Sequence, residues 1–110
     1  MSIHANESDL PINPVTGHKS GILIGEANGA IKGYRIGVGY YDKEEYGKPG
    51  VHDDQEGFYV LEGTGIAKIG EEEFEIRPGT AFIAARGVPH TIKKTSGGPP
   101  VKVLWSHGAV

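Results

Sequence analysis

The sequence predicts an all-β domain, folded as an antiparallel barrel or a double-sheet jelly roll. Three observations predict it. Apolar and polar residues alternate with period 2 through several short stretches, the spacing that buries one face of a strand. Glycine, at 18 of 110 residues, recurs with proline at short intervals and cuts the chain into strand-sized pieces. No stretch keeps a helical apolar period for longer than one turn. Eight or nine short strands at hairpin spacing close most readily into a barrel or two packed sheets.

The elements follow in order. Residues 1–19 are polar, contain Pro11, Pro14 and Gly17, and predict an irregular N-terminal arm with at most one short extended piece. Residues 20–25 form an apolar run between glycines, the first strand, and Asn28-Gly29 is a turn signal. In residues 30–42, Tyr34, Ile36, Val38 and Tyr40 alternate with Arg35, Gly37, Gly39 and Tyr41. The apolar set of this strand is expected to face the core. Residues 43–50 are charged and glycine-rich, a loop. Phe58-Tyr59-Val60-Leu61 is apolar on both faces, so cover on both sides is expected. Strands are expected over 66–69 and 73–77, joined by a turn at Gly70-Glu71-Glu72. Pro78-Gly79 suits a type II turn, because proline presets one angle and glycine accepts a positive φ. Residues 80–85, 90–95 and 101–107 complete the set.

A chain of 110 residues fits one domain, here residues 20–110, with the arm at 1–19. There is no cysteine, hence neither a disulfide framework nor a thiolate metal site. The formal net charge is −3, and the eleven basic residues are scattered. No nucleic-acid footprint and no basic membrane patch result. No apolar run approaches the ~20 residues of a membrane span, and the N-terminus lacks a signal pattern. The expectation is a cytoplasmic protein.

Two segments carry the chemistry. The first runs from Gly47 to Gly63 and holds His52 and Glu56; the second runs from Gly79 to His90. They resemble the paired motifs of the cupin superfamily, G-x5-H-x-H-x3-4-E-x6-G and G-x5-P-x-G-x2-H-x3-N. His52, Glu56, Gly63, Gly79, Gly87 and His90 stand at the family's spacing. The first histidine of the family's pair would fall at Gly50, its opening glycine at Glu44, the proline of the second motif at Ala85 and the final asparagine at Lys94. The resemblance implies a small single-domain cupin, an antiparallel double-stranded β-helix or jelly-roll barrel, and a homodimer packed through an outer sheet face.

The resemblance also implies that His52, Glu56 and His90 point inward and meet. Imidazole and carboxylate suit iron, zinc, manganese or nickel, and two histidines with one carboxylate leave coordination positions open. A divalent transition metal is therefore the expected cofactor and a small polar molecule the expected ligand. Strand parity extends the site. Phe58 shares the face of Glu56, Trp105 and His107 share the face of Val101 and Val103, and Tyr40 ends close to the motif loop. Tyr40 and His107 are the acid–base candidates; Phe58, Arg86 and Trp105 are the pocket candidates, with Arg86 suited to a carboxylate or phosphate. Asp54 or Gln55 could complete the metal's sphere. Three functions stay open: a dioxygenase or a sugar isomerase or epimerase, a binding module without turnover, or a metal-free cupin acting through assembly.

Overall fold

The structure, a computed structural model, describes residues 2–10, 13–15 and 18–109. Among them it contains nine strands, two single-turn 3-10 segments and no α-helix. The strands are β1 (Asn13–Val15), β2 (His18–Ile24), β3 (Arg35–Tyr41), β4 (Gln55–Glu62), β5 (Gly65–Ile69), β6 (Glu72–Ile76), β7 (Ala81–Ala84), β8 (His90–Lys94) and β9 (Val101–Gly108). β1 to β2, β2 to β3, β3 to β9, β9 to β4 and β4 to β7 pair antiparallel in a six-stranded sheet. The second sheet has the order β6-β5-β8 and is also antiparallel. The two inner faces enclose one core, as two layers must when each is apolar on one side.

Turn chemistry fixes the connections. Gly70 opens the two-residue β5–β6 hairpin at φ +60°, the first-position glycine that the twist of a tight hairpin requires. Gly79 sits at φ +95°, and the Thr80 amide donates to the Arg77 carbonyl at 2.9 Å. Before β7, the chain therefore reverses at Pro78-Gly79.

The core cluster holds Val60, Ala67, Ile76, Ile92, Val101 and Val103, with Phe58, Trp105, Tyr41 and Ala84. Register aligns these residues across strands: Phe58 lies opposite Trp105, and Val60 opposite Val103.

β3 departs from the expected facing. Gly37 pairs with Trp105, and a Cβ at Gly37 would stand 2.4 Å from Trp105 Cζ2 and 2.3 Å from the Gly21 carbonyl oxygen. Gly37 and Gly39 therefore face inward, where they make room for the indole. Tyr40 is on the opposite, outer face. β4 also departs in part: Tyr59 is 46% and Leu61 38% exposed, so one face of that strand is open in the single chain.

Candidate metal centre

One end of the barrel interior is polar. Glu56 lies near the start of β4, and directly across the ladder stands His107 of β9. His90 opens β8 in the facing sheet. His52 lies on the loop before β4, and backbone bonds pin that loop. Gly50 and His90 exchange both amide–carbonyl bonds, at 2.9 and 3.0 Å, and the Gly87 amide donates to the His52 carbonyl at 2.9 Å. Gly87 reaches this position at φ +77°, which glycine adopts without strain. The glycine of the second segment thus holds the histidine of the first.

Three imidazoles surround one carboxylate oxygen. Glu56 Oε1 is 3.0 Å from His90 Nε2, 3.3 Å from His107 Nε2 and 3.4 Å from His52 Nε2. His52, Glu56 and His90 each offer a donor atom within 4.8 Å of the others. Despite this proximity, Glu56 Oε1 is fully buried and accepts no hydrogen bond. A buried carboxylate oxygen without a hydrogen bond needs positive charge close by to offset its burial. Three ring nitrogens stand within 3.4 Å of it, and none makes a hydrogen bond of good geometry. Of these residues, His52, Glu56 and His90 fit a divalent metal.

The tautomers follow from the outer partners. His90 Nδ1 is 3.2 Å from the Val88 carbonyl oxygen, and His107 Nδ1 is 2.8 Å from Asp54 Oδ1. A carbonyl and a carboxylate only accept, so both Nδ1 atoms carry the proton and both Nε2 atoms turn toward Glu56. Asp54 is held in turn by Arg35 at 3.2 Å.

The electrostatics follow. Burial pushes the Glu56 carboxyl up, but the imidazoles of His107 and His90 outweigh it and hold its pKa at about 2. Burial lowers His52. Burial works against the His107 imidazolium as well, yet the Glu56 and Asp54 carboxylates prevail and raise it. Tyr41, deep beneath the site, is raised by burial and by the charge of Glu56.

A cavity of about 410 Å³ opens onto the cluster, with Gly50, His52, Glu56, His90, Trp105 and His107 in its lining. That volume suits a small ligand. Phe58 borders the site, its ring 5.6 Å from that of His90 and stacked at 4.6 Å on Phe82.

Two residues singled out from sequence stand elsewhere. The Tyr40 hydroxyl donates to Glu7 at 2.5 Å, and Lys102 bridges to the same carboxylate at 3.0 Å. Tyr40 therefore ties the 3-10 segment Glu7–Asp9 to the outer face. Its expected inward position fails because the glycines of β3 take that face. Arg86 is exposed and absent from the cavity lining, since its turn points to solvent; Arg35 lines the cavity instead. Asp54 supports His107 rather than approaching the trio, and Gln55 is exposed. His107 is deeply placed, at 6% exposed. Parity along β9 signalled its face, but only the β4–β9 register reveals its neighbour.

Known proteins agree with this architecture. The family model described as a Cupin domain matches residues 38–107. No curated protein matches the chain significantly. Among solved structures, a predicted oxalate decarboxylase from Thermotoga maritima aligns with a TM-score of 0.81 at 15% identity, over 96% of this chain and 98% of that one. The polyketide cyclase RemF from Streptomyces resistomycificus gives 0.79 at 21% identity, over 99% and 81%. Hydroxypropylphosphonic acid epoxidase from S. wedmorenis, in complex with fosfomycin, gives 0.79 at 18% identity, over 96% of this chain and 58% of that one. At these identities the likeness is one of fold.

Proposed function

The chain belongs to the cupin family, and on that footing we propose that it binds one divalent transition metal through His52, Glu56 and His90, with a small polar molecule in the adjoining cavity. The carrying observation is the Glu56 oxygen, buried without a hydrogen bond among three imidazole nitrogens. Iron, zinc, manganese and nickel all accept this donor set.

Each residue has a distinct task. Glu56 contributes the negative charge. His90 and His52 contribute neutral nitrogen donors, with His90 oriented by the Val88 carbonyl. Trp105 lines the cavity, and Phe58 packs on His90 behind it; these apolar walls restrict water and strengthen the interactions inside. A bound ion would supply Lewis-acid polarisation of a ligand oxygen or, as iron(II), a place for O₂. Two classes of turnover match this arrangement: oxygen insertion, or isomerisation and epimerisation of a small sugar-like molecule. We also read the chain as a homodimer that covers the exposed sheet face around Tyr59 and Ile83, which are 46% and 57% exposed.

Equilibrium dialysis against iron(II), zinc, manganese and nickel in turn tests the proposal. Wild type should retain one ion per chain for at least one metal, and His90→Ala should lose it. The loaded protein should then turn over, or bind, a member of a panel of small hydroxy acids, sugars and phosphonates. Binding without turnover identifies a ligand-binding module; wild type that retains no metal overturns the proposal.

A further inference from the structure

We propose that His107 is the fourth protein donor of this metal site, supplied by β9 in place of the side chain that Gly50 lacks. The inference rests on the metal-site reading above and adds to it a residue that lies outside both motif segments.

Gly50 comes first. Its φ is not positive, so no backbone strain requires glycine there. A Cβ at this position would stand 3.0 Å from His90 Nε2 and 3.5 Å from His52 Nε2. The position therefore faces the donor cluster, but imidazoles already fill the space in front of it. A side chain at position 50 would crowd His90, which would have to give by a few tenths of an ångström for the Cβ alone. The cluster has been completed from another direction.

His107 supplies that direction. It is the ladder partner of Glu56, on a strand separate from those that carry Glu56 and His90 and from the loop that carries His52. Its Nε2 lies 3.3 Å from Glu56 Oε1, between the 3.0 Å of His90 and the 3.4 Å of His52. It flanks the tight trio through the shared carboxylate oxygen. Its ring is locked edge-on against His52 at 4.6 Å and against Trp105 at 5.4 Å.

The outer support is that of a metal ligand. Metal-bound histidines characteristically donate the second ring N–H to a carboxylate or carbonyl, which fixes the tautomer and makes the first nitrogen more basic. His107 donates to Asp54 at 2.8 Å, and Arg35 anchors Asp54 at 3.2 Å. His90 has the equivalent carbonyl partner in Val88. Any buried imidazole needs an acceptor for one ring N–H, and here Asp54 fills that role; what the metal reading adds is the second nitrogen, turned toward a carboxylate oxygen that accepts no hydrogen bond.

Two measurements test the inference. In the first, the imidazole nitrogens of ¹⁵N-labelled wild type are followed by NMR as zinc is added. The Nε2 signals of His52, His90 and His107 should all move to metal-bound positions, while His4 does not. In the second, zinc affinity is measured by chelator competition for wild type, His107→Ala, His107→Gln and Asp54→Asn. Loss of an outer partner typically costs ~10–100-fold in affinity. Asp54→Asn should fall in that range, and both His107 variants should lose at least about 100-fold. If one His107 variant fails to fold, the other and the wild-type spectrum still decide. If zinc binds with only the His52 and His90 nitrogens shifted, and the His107 variants keep wild-type affinity, this inference is overturned while the three-donor site stands. If wild type binds no zinc or other transition metal, both readings fall.

Discussion

The two ends of the barrel are built from the same strands, on the same faces, and do opposite work. Along β4 the inner face runs Glu56, Phe58, Val60; along β9 it runs His107, Trp105, Val103; along β8 it runs His90 and then Ile92. Each strand passes from a donor to an apolar residue, with an aromatic between them on β4 and β9. The ladder keeps the tiers level, Glu56 opposite His107, Phe58 opposite Trp105 and Val60 opposite Val103. From Glu56 to Val60 the β4–β9 pairing is regular, so the ladder itself does not distinguish these tiers. Side chains do: the aliphatic tier is satisfied by contact alone, whereas the donor tier buries a carboxylate whose oxygen has no hydrogen bond. The aliphatic tier can therefore carry the stability of the fold, and the donor tier can be kept open for a ligand.

Damage to one end should leave the other recognisable. The largest effect is expected at Ile92, which is buried on the same face as His90 and two residues along. Ile92→Ala should cost about 2–5 kcal/mol through lost burial and the cavity left behind, read from urea unfolding. Chains that remain folded should still bind one metal ion.

The donor end should show itself in acid. Glu56 ordinarily titrates at 4.5 and is held at about 2 in the folded protein. A depressed carboxyl stabilises the fold fully above its unfolded pKa and loses that contribution as the pH falls through the folded value. For Glu56 in the metal-free protein the loss runs from about pH 4.5 to about pH 2 and is on the order of 3 kcal/mol. Urea unfolding of wild type and Glu56→Gln across this range should show their difference shrinking toward pH 2. A difference that stays constant with pH would contradict the assignment.

Between the tiers lies Trp105. Gly37→Ala should place a methyl group against the indole and the Gly21 carbonyl and cost roughly 1–3 kcal/mol as overpacking, with a change in tryptophan fluorescence. The smallest effect on the fold is expected outside the barrel. Ile83→Lys, on the exposed sheet face, should alter the stability of the single chain by no more than ~0.5 kcal/mol. Light scattering should nevertheless show fewer dimers.

The sequence reveals the tiers unevenly. Strand positions are legible because alternation and glycine punctuation are local: eight of the observed strands, β2 to β9, fall within a few residues of the expected ones. The facing of β3 is not. Apolarity points to Tyr34, Ile36, Val38 and Tyr40, but the inner face belongs to Gly37 and Gly39 because a tryptophan from the adjacent strand fills the space above them. A residue with no side chain gives no hydrophobic signal of its own. The trio of His52, Glu56 and His90 is legible through motif spacing. The remainder of the centre depends on pairing between segments distant in sequence: Glu56 with His107, His107 with Asp54, and Asp54 with Arg35. Arg86 attracts attention by its nearness in sequence to His90, yet Arg35 reaches the cavity because β3 lies beside β9.

The central claim is that a metal ion, rather than protons alone, partners Glu56 in the donor tier. The most direct measurement is anomalous diffraction from a crystal of zinc-loaded protein, with data collected on either side of the zinc absorption edge. A single strong anomalous peak is expected within coordinating distance of Glu56 Oε1 and of Nε2 of His52 and His90. Full zinc loading in solution with no anomalous peak beside Glu56, or with the peak at another set of residues, would contradict it.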